Sequence, residues 1–111
     1  LDIVFQTHTL ADECNDIKAL TRHYGPDNAK RIRRRLDDLW AAANLAIMRL
    51  LPGRCHELSG DRAGQFALDV RHLYRLVFEP AHDPIPRRDD GGLDWSNVTA
   101  VRILRVEDYH G

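Results

Sequence analysis

Cysteine is scarce in this chain: Cys14 and Cys55 are the only two, far apart and with no secretory leader ahead of them. A disulfide framework is therefore not expected, a reducing compartment is, and both thiols read as small core fillers. Lysine is nearly missing as well. Of the 16 basic residues only Lys18 and Lys30 are lysine and the other 14 are arginine, while 17 acidic residues bring the net charge to −1. The planar arginine fork binds phosphate bidentately and stacks on bases, so the bias is compatible with nucleic acid; codon usage in a GC-rich genome produces it equally well. No apolar run approaches the ~18 residues that a bilayer-spanning helix needs, and Leu1-Asp2 lacks the charged-then-apolar pattern of a targeting segment. The expectation is a cytoplasmic protein with no membrane partner. A P-loop, a nucleophile elbow, an HExxH helix and a CxxC pair are absent too, which removes support for nucleoside triphosphate, acyl-transfer and zinc chemistry. No internal repeat is present. With 111 residues the chain has room for one core and too little for two, so a single domain over residues 1–111 is expected.

What the chain does have is periodicity. Residues 2–7 alternate, with Ile3 and Phe5 on one side, as in a short strand. From Thr9, a candidate N-cap, apolar residues recur at Leu10, Cys14, Ile17 and Leu20, and Tyr24 precedes the breaker Gly25-Pro26; this spacing predicts one helix. A second helix opens at Asp27 and sets Ile32, Leu36, Leu39, Trp40 and Ala43 on one apolar stripe, with Arg31, Arg33, Arg34 and Arg35 on its other faces. Those arginines suit a phosphate backbone, the acidic stretch of a protein partner, or a solvated face with Asp37 and Asp38 as intrahelical partners. Residues 45–51 are apolar and are closed by Pro52-Gly53.

After that turn the period falls to two. Phe66, Leu68, Val70, Tyr74, Leu76 and Phe78 take even positions and Asp69, Arg71, Arg75 and Glu79 odd ones, which predicts a hairpin turning near Arg71-His72-Leu73. Residues 80–97 hold three prolines, Gly91-Gly92 and the run Arg87-Arg88-Asp89-Asp90, and read as a long, mobile surface loop that Trp95 anchors. Residues 98–106 are apolar at both parities, as in a central strand. A sheet with one oily face needs a cover, and the two helices are available. The expected architecture is α+β: an N-terminal strand and two helices packed on a small antiparallel sheet of three to four further strands.

Two blocks carry ionisable groups that suit one reaction. His56-Glu57-Leu58-Ser59-Gly60-Asp61-Arg62-Ala63-Gly64-Gln65-Phe66 sets a histidine before a glycine-rich turn with an arginine inside it, and Asp108-Tyr109-His110 follows the last strand-like run. RNA is cut without metal when a base takes the 2′-hydroxyl proton, that oxygen attacks the adjacent phosphorus in line, and an acid protonates the leaving 5′-oxygen. His56 and His110 are the candidate pair, because imidazole titrates near the working pH; which is acid and which is base stays open. Arg75 is the candidate to offset charge on the phosphoryl oxygens, with Arg62 as a second donor. Asp108 could hold a histidine in the useful tautomer, and Tyr109 could bond the phosphate or stack on an unstacked base. Each has a plain rival: His56 as an exposed strand residue, Arg75 as a cross-strand partner of Asp69 or Glu79, Tyr109 as a core edge. His8, His23, His72 and His82 lack supporting neighbours in sequence and read as surface residues. No metal is expected, since His56, Asp108 and His110 lack the closely spaced ligand pairs of zinc sites.

Taken in order, the block from Cys55 to Phe66, then Tyr74-Arg75-Leu76-Val77-Phe78, then Glu107-Asp108-Tyr109-His110, resembles the HigB branch of the RelE-like toxins, the toxic halves of bacterial type II toxin-antitoxin pairs. The matching pieces span roughly residues 54–110, and the arginine-rich helix is similar more loosely. The resemblance implies a RelE-like fold and a ribosome-dependent mRNA endonuclease that arrests translation. It implies a helix-turn-helix, HigA-like antitoxin as partner, contact with operator DNA only through that antitoxin, and no cofactor. Its catalytic positions fall on His56, Asp108, Tyr109 and His110 with Arg75 on the phosphate; beside them, Arg62, Arg31, Arg34 and Arg35 are the RNA-binding residues expected from the residue chemistry given above. Ser59 departs from the pattern, standing where the family usually has lysine, and the loop at 80–97 is longer than the expected connection. Two alternatives on the same fold are a non-catalytic, ParE-like gyrase poison and a degenerate member that only binds its antitoxin as co-repressor.

Overall fold

The computed structural model describes residues 1–71 and 74–108. Five strands form one sheet in the order β1-β5-β4-β3-β2: β1 at Asp2–Phe5, β2 at His56–Glu57, β3 at Phe66–Arg71, β4 at Tyr74–Pro80 and β5 at Ala100–Asp108. β2 to β5 are antiparallel neighbours, as expected, whereas β1 runs parallel to β5 and makes the sheet mixed. A parallel neighbour needs a long crossover; here the helices and the hairpin fill it.

Three α-helices cover the sheet instead of two: α1 at His8–Cys14, α2 at Ile17–Tyr24 and α3 at Pro26–Ala41. The single helix expected from Thr9 to Tyr24 is broken at Asn15-Asp16. Thr7, not Thr9, caps α1 through a bond from the Leu10 N–H (3.1 Å). Asp16 then accepts the Lys18 N–H (2.9 Å) and starts α2 afresh. A short carboxylate side chain competes in this way with the helix for backbone donors. The break also moves Ile17 off the stripe, leaving it 49% exposed while Cys14 and Leu20 are fully buried.

In α3 the first helical residue is Pro26, preceded by Gly25 at φ 84°, an N-terminal use of proline that sacrifices no helix bond. Ala29, Ile32, Leu36 and Leu39 face the core. Trp40 does not share their stripe; it is 68% exposed, and Ala43, also exposed, lies beyond the helix end. Leu45–Leu50 is a 3-10 helix that turns Leu45 and Met48 inward, three residues apart as that tighter spiral requires.

The hairpin follows the period-two reading. Phe66 pairs with Phe78 and Leu68 with Leu76, and these residues join the helices' apolar faces in the main core. The expected turn at 71–73 lies largely outside the described residues. On the opposite face only a small cluster is buried, Leu58, Ala67 and Val77 with Leu104 against it. The region between β4 and β5 is tied to the body. Trp95 stands edge-on to Phe66 (5.0 Å between rings), the Arg49 guanidinium lies 3.6 Å over its indole, and Leu93 is buried. His82, read as a bystander, accepts the Thr99 and Ala100 N–H groups at Nε2 (3.0 and 3.3 Å) at the start of β5. Among the described residues no helix is long and apolar enough to cross a membrane.

Candidate functional site

Register determines what the helix-free face carries. Residues opposite one another across antiparallel strands project to the same side. One row therefore runs His56, Ala67, Val77, Arg105, and the next runs Asp69, Arg75, Glu107. Arg54 extends the second row through its ion pair with Asp69 (2.9 Å), so the signs alternate along it.

Glu107 is the hub. Its Oε1 accepts from Arg62 Nη2 at 2.6 Å and Arg105 Nε at 2.7 Å, and its Oε2 accepts from Arg75 Nε at 2.8 Å. Arg105 also donates to Gln65 Oε1 (2.8 Å). Burial by itself would push the Glu107 carboxyl up, but the hydrogen bonds from Arg62, Arg105 and Arg75, with the charge of Arg75, outweigh it and hold the group at about 2. One anion thus gathers three guanidiniums and leaves the group net positive. Of the rival partners suggested for Arg75, Asp69 is bound by Arg54 at 2.9 Å and Glu79 by Arg102 at 2.8 Å.

His56 is half-buried on β2, its Nδ1 2.7 Å from the Arg54 carbonyl oxygen. A carbonyl only accepts, so Nδ1 carries the hydrogen and Nε2 is the basic nitrogen. The backbone thus does for His56 the tautomer-holding expected of Asp108. Arg62 returns to the same place through the 3-10 turn Gly60–Arg62, where Gly60 sits at φ 69°, a left-handed conformation that favours glycine. Glu57 steadies the far end of the turn by accepting the Gly64 N–H (3.0 Å).

His56, Glu57, Ser59, Arg62 and Arg75 line one open cavity of about 280 Å³. Ser59, the departure from the family pattern, is on its wall. Asp108 closes β5, exposed and opposite Tyr74 in the register. Tyr109 and His110 lie outside the described residues. Arg105 and Glu107 were missed by the sequence reading; their spacing of two on a strand is the signal that could have found them. Among the described residues no group of three or more His, Cys, Asp or Glu converges as a metal site.

Arg31, Arg34 and Arg35 are not brought to this cavity. They line a separate one of about 480 Å³ together with Asp27, Lys30 and Arg71. Arg35 is not an exposed grip: it is 8% exposed, gives Nε to the Asp69 carbonyl (3.0 Å) and sets Nη1 3.7 Å from Asp38. Burial pushes its guanidinium below the usual range, with Arg31 and Arg34 adding to the effect and Asp38 opposing it. Arg33 turns the other way, to the Cys14 carbonyl (2.9 Å) and Asp37 (3.0 Å).

No family model and no curated protein matches the sequence. Solved structures do match the fold. A YoeB/ParE toxin from Agrobacterium tumefaciens superposes with a TM-score of 0.58 at 11% identity, covering 99% of this chain and 100% of that one. A YoeB dimer from Staphylococcus aureus gives 0.54 at 19%, and a YoeB-YefM complex from the same organism 0.54 at 16%, each covering 100% of this chain and 98% of the other. The fold is that of the YoeB/RelE-like toxins, α+β with helices on one side of a five-stranded sheet.

Proposed function

We propose that this chain is the toxin of a type II toxin-antitoxin pair, a ribosome-dependent mRNA endonuclease of the HigB kind acting in the cytoplasm. One observation carries the reading: a histidine of defined tautomer shares a cavity with two arginines that Glu107 holds in place. In this scheme His56 Nε2 takes the 2′-hydroxyl proton, the 2′-oxygen attacks phosphorus, and the bond to the 5′-oxygen breaks to leave a 2′,3′-cyclic phosphate. His110 supplies the proton to the leaving oxygen. Arg62 and Arg75 meet the charge that grows on the phosphoryl oxygens. Asp108 orients His110, and Tyr109 bonds the phosphate or stacks on a base. No cofactor enters the scheme.

The guanidiniums are already ordered before RNA arrives, and such preorganisation is what lets charge stabilisation favour the transition state. The partner expected from this reading is a helix-turn-helix, HigA-like antitoxin, through which operator DNA is reached; two of the fold neighbours are YoeB-YefM complexes, one of them a toxin-antitoxin heterotetramer.

The test is mapping of mRNA 5′ ends after brief induction of the parent and of His56→Ala. Codon-positioned ends that fall at least about 100-fold in the variant are expected, the usual scale for a general base. Growth arrest undiminished in the variant, with no new 5′ ends in either strain, would overturn the nuclease reading and favour a ParE-like gyrase poison.

A further inference from the structure

From the seam between α3 and β3 we infer that this protein has a second anion site, which takes a phosphate of an RNA backbone away from the cavity that holds His56. Five cations, Lys30, Arg31, Arg34, Arg35 and Arg71, line it against the single carboxylate of Asp27. This is a dense concentration in a chain of net charge −1. Asp27 is already committed to Arg71 at 3.1 Å. Arg35 forms the floor, fixed by the Asp69 carbonyl at Nε. Among the described residues no hydrogen bond or ion pair engages Lys30, Arg31 or Arg34, all of them exposed.

Holding these like charges close together costs electrostatic energy unless an anion comes between them. Four of the five are guanidiniums, whose forks match the several acceptor oxygens of phosphate, and the opening of about 480 Å³ has room for it. A carboxylate fits less well. The carboxylates already present, Asp27 on Arg71 and Asp38 on Arg35, engage two forks and leave Lys30, Arg31 and Arg34 uncompensated. The site lies on the helix-bearing side of the sheet and the cutting cavity on the bare side.

This inference rests on the nuclease reading for its biological use but not for its test. The probe is a fluorescein-labelled 12-mer of 2′-O-methyl RNA, which lacks the attacking hydroxyl, so that binding is read without cleavage by anisotropy across a salt series. The proteins are the parent chain, Lys30→Ala/Arg34→Ala, and Arg22→Ala as an exposed-cation control outside the cavity. The double variant is expected to bind roughly 10-fold more weakly at low salt, with a log-log salt slope shallower by about 1.4, two contacts to a single strand. The control should match the parent.

An unchanged affinity and slope in the double variant would overturn the site. So would equal losses in the double variant and the control, which would mean diffuse charge only, and so would stronger competition by a deca-glutamate peptide than by inorganic tripolyphosphate, which would make it a protein-docking surface. If the double variant loses binding while the parent chain cuts no mRNA, the site stands and the nuclease reading falls; if cutting depends on His56 but binding ignores Lys30 and Arg34, the reverse holds.

Discussion

The molecule carries two arginine clusters built on opposite plans. On the bare sheet face Arg62, Arg75 and Arg105 converge on Glu107 and are ordered by it. In the α3 groove Lys30, Arg31 and Arg34 stand exposed around one buried member, Arg35. The first arrangement fixes the direction of each guanidinium, which chemistry on a single phosphate requires. The second supplies field without fixed geometry, which serves to attract and hold a charged chain. Under the two proposals made above, the same residue type does two jobs, and the neighbouring carboxylate decides which.

Glu107→Gln should break this contrast most strongly. Three guanidiniums lose their counter-charge in a partly buried place, so stability should fall by about 2–3 kcal/mol, read as a melting point lower by roughly 10 °C. The groove variant Lys30→Ala/Arg34→Ala, measured beside it, should melt within a degree or two of the parent. Equal shifts would mean that Glu107 is not a structural clamp.

Acid should sharpen the same point. The Glu107 carboxyl is held at about 2 in the folded chain against an ordinary 4.5, so between those values the unfolded state binds more protons. The stabilisation is complete above about pH 5 and is lost as the pH falls through 2. The gap in unfolding free energy between the parent and Glu107→Gln should therefore narrow from pH 6 to pH 2. A gap independent of pH would contradict the assignment.

Gly53→Ala probes the groove's floor. Gly53 sits at φ 115°, and an added Cβ would come within 2.9 Å of Arg35 Nε. A loss of about 1–2 kcal/mol is expected from backbone strain and the displaced guanidinium, with weaker RNA binding; a thermal melt and the anisotropy assay together check it.

Much of this was legible from local pattern. Alternation from Phe66 to Phe78 showed the hairpin, which side of it is oily, and Arg75 on its polar side, and the glycine-rich block after His56 pointed to His56 and Arg62. Pattern failed where two signals competed. Leu10, Cys14, Ile17 and Leu20 keep helical spacing straight through the break at Asn15-Asp16, so only the capping chemistry of Asp16 reveals it. Trp40 looked like core because its spacing from Leu36 is helical, yet Leu39 took the inward place. Glu107 was invisible for another reason. Its meaning depends on partners 32 and 45 residues away, and register over such distances comes from the folded sheet rather than from any window of sequence.

The sheet order has a temporal side. β5 occupies an interior position, between β1 and β4, though it is the last of the five strands to be synthesised, and it brings Glu107 and leads into Asp108-Tyr109-His110. Until it docks, Arg62 and Arg75 lack their bonds to Glu107 and the two halves of the sheet have no seam. A nascent chain halted before that point lacks Glu107, and with it the anion on which Arg62 and Arg75 converge.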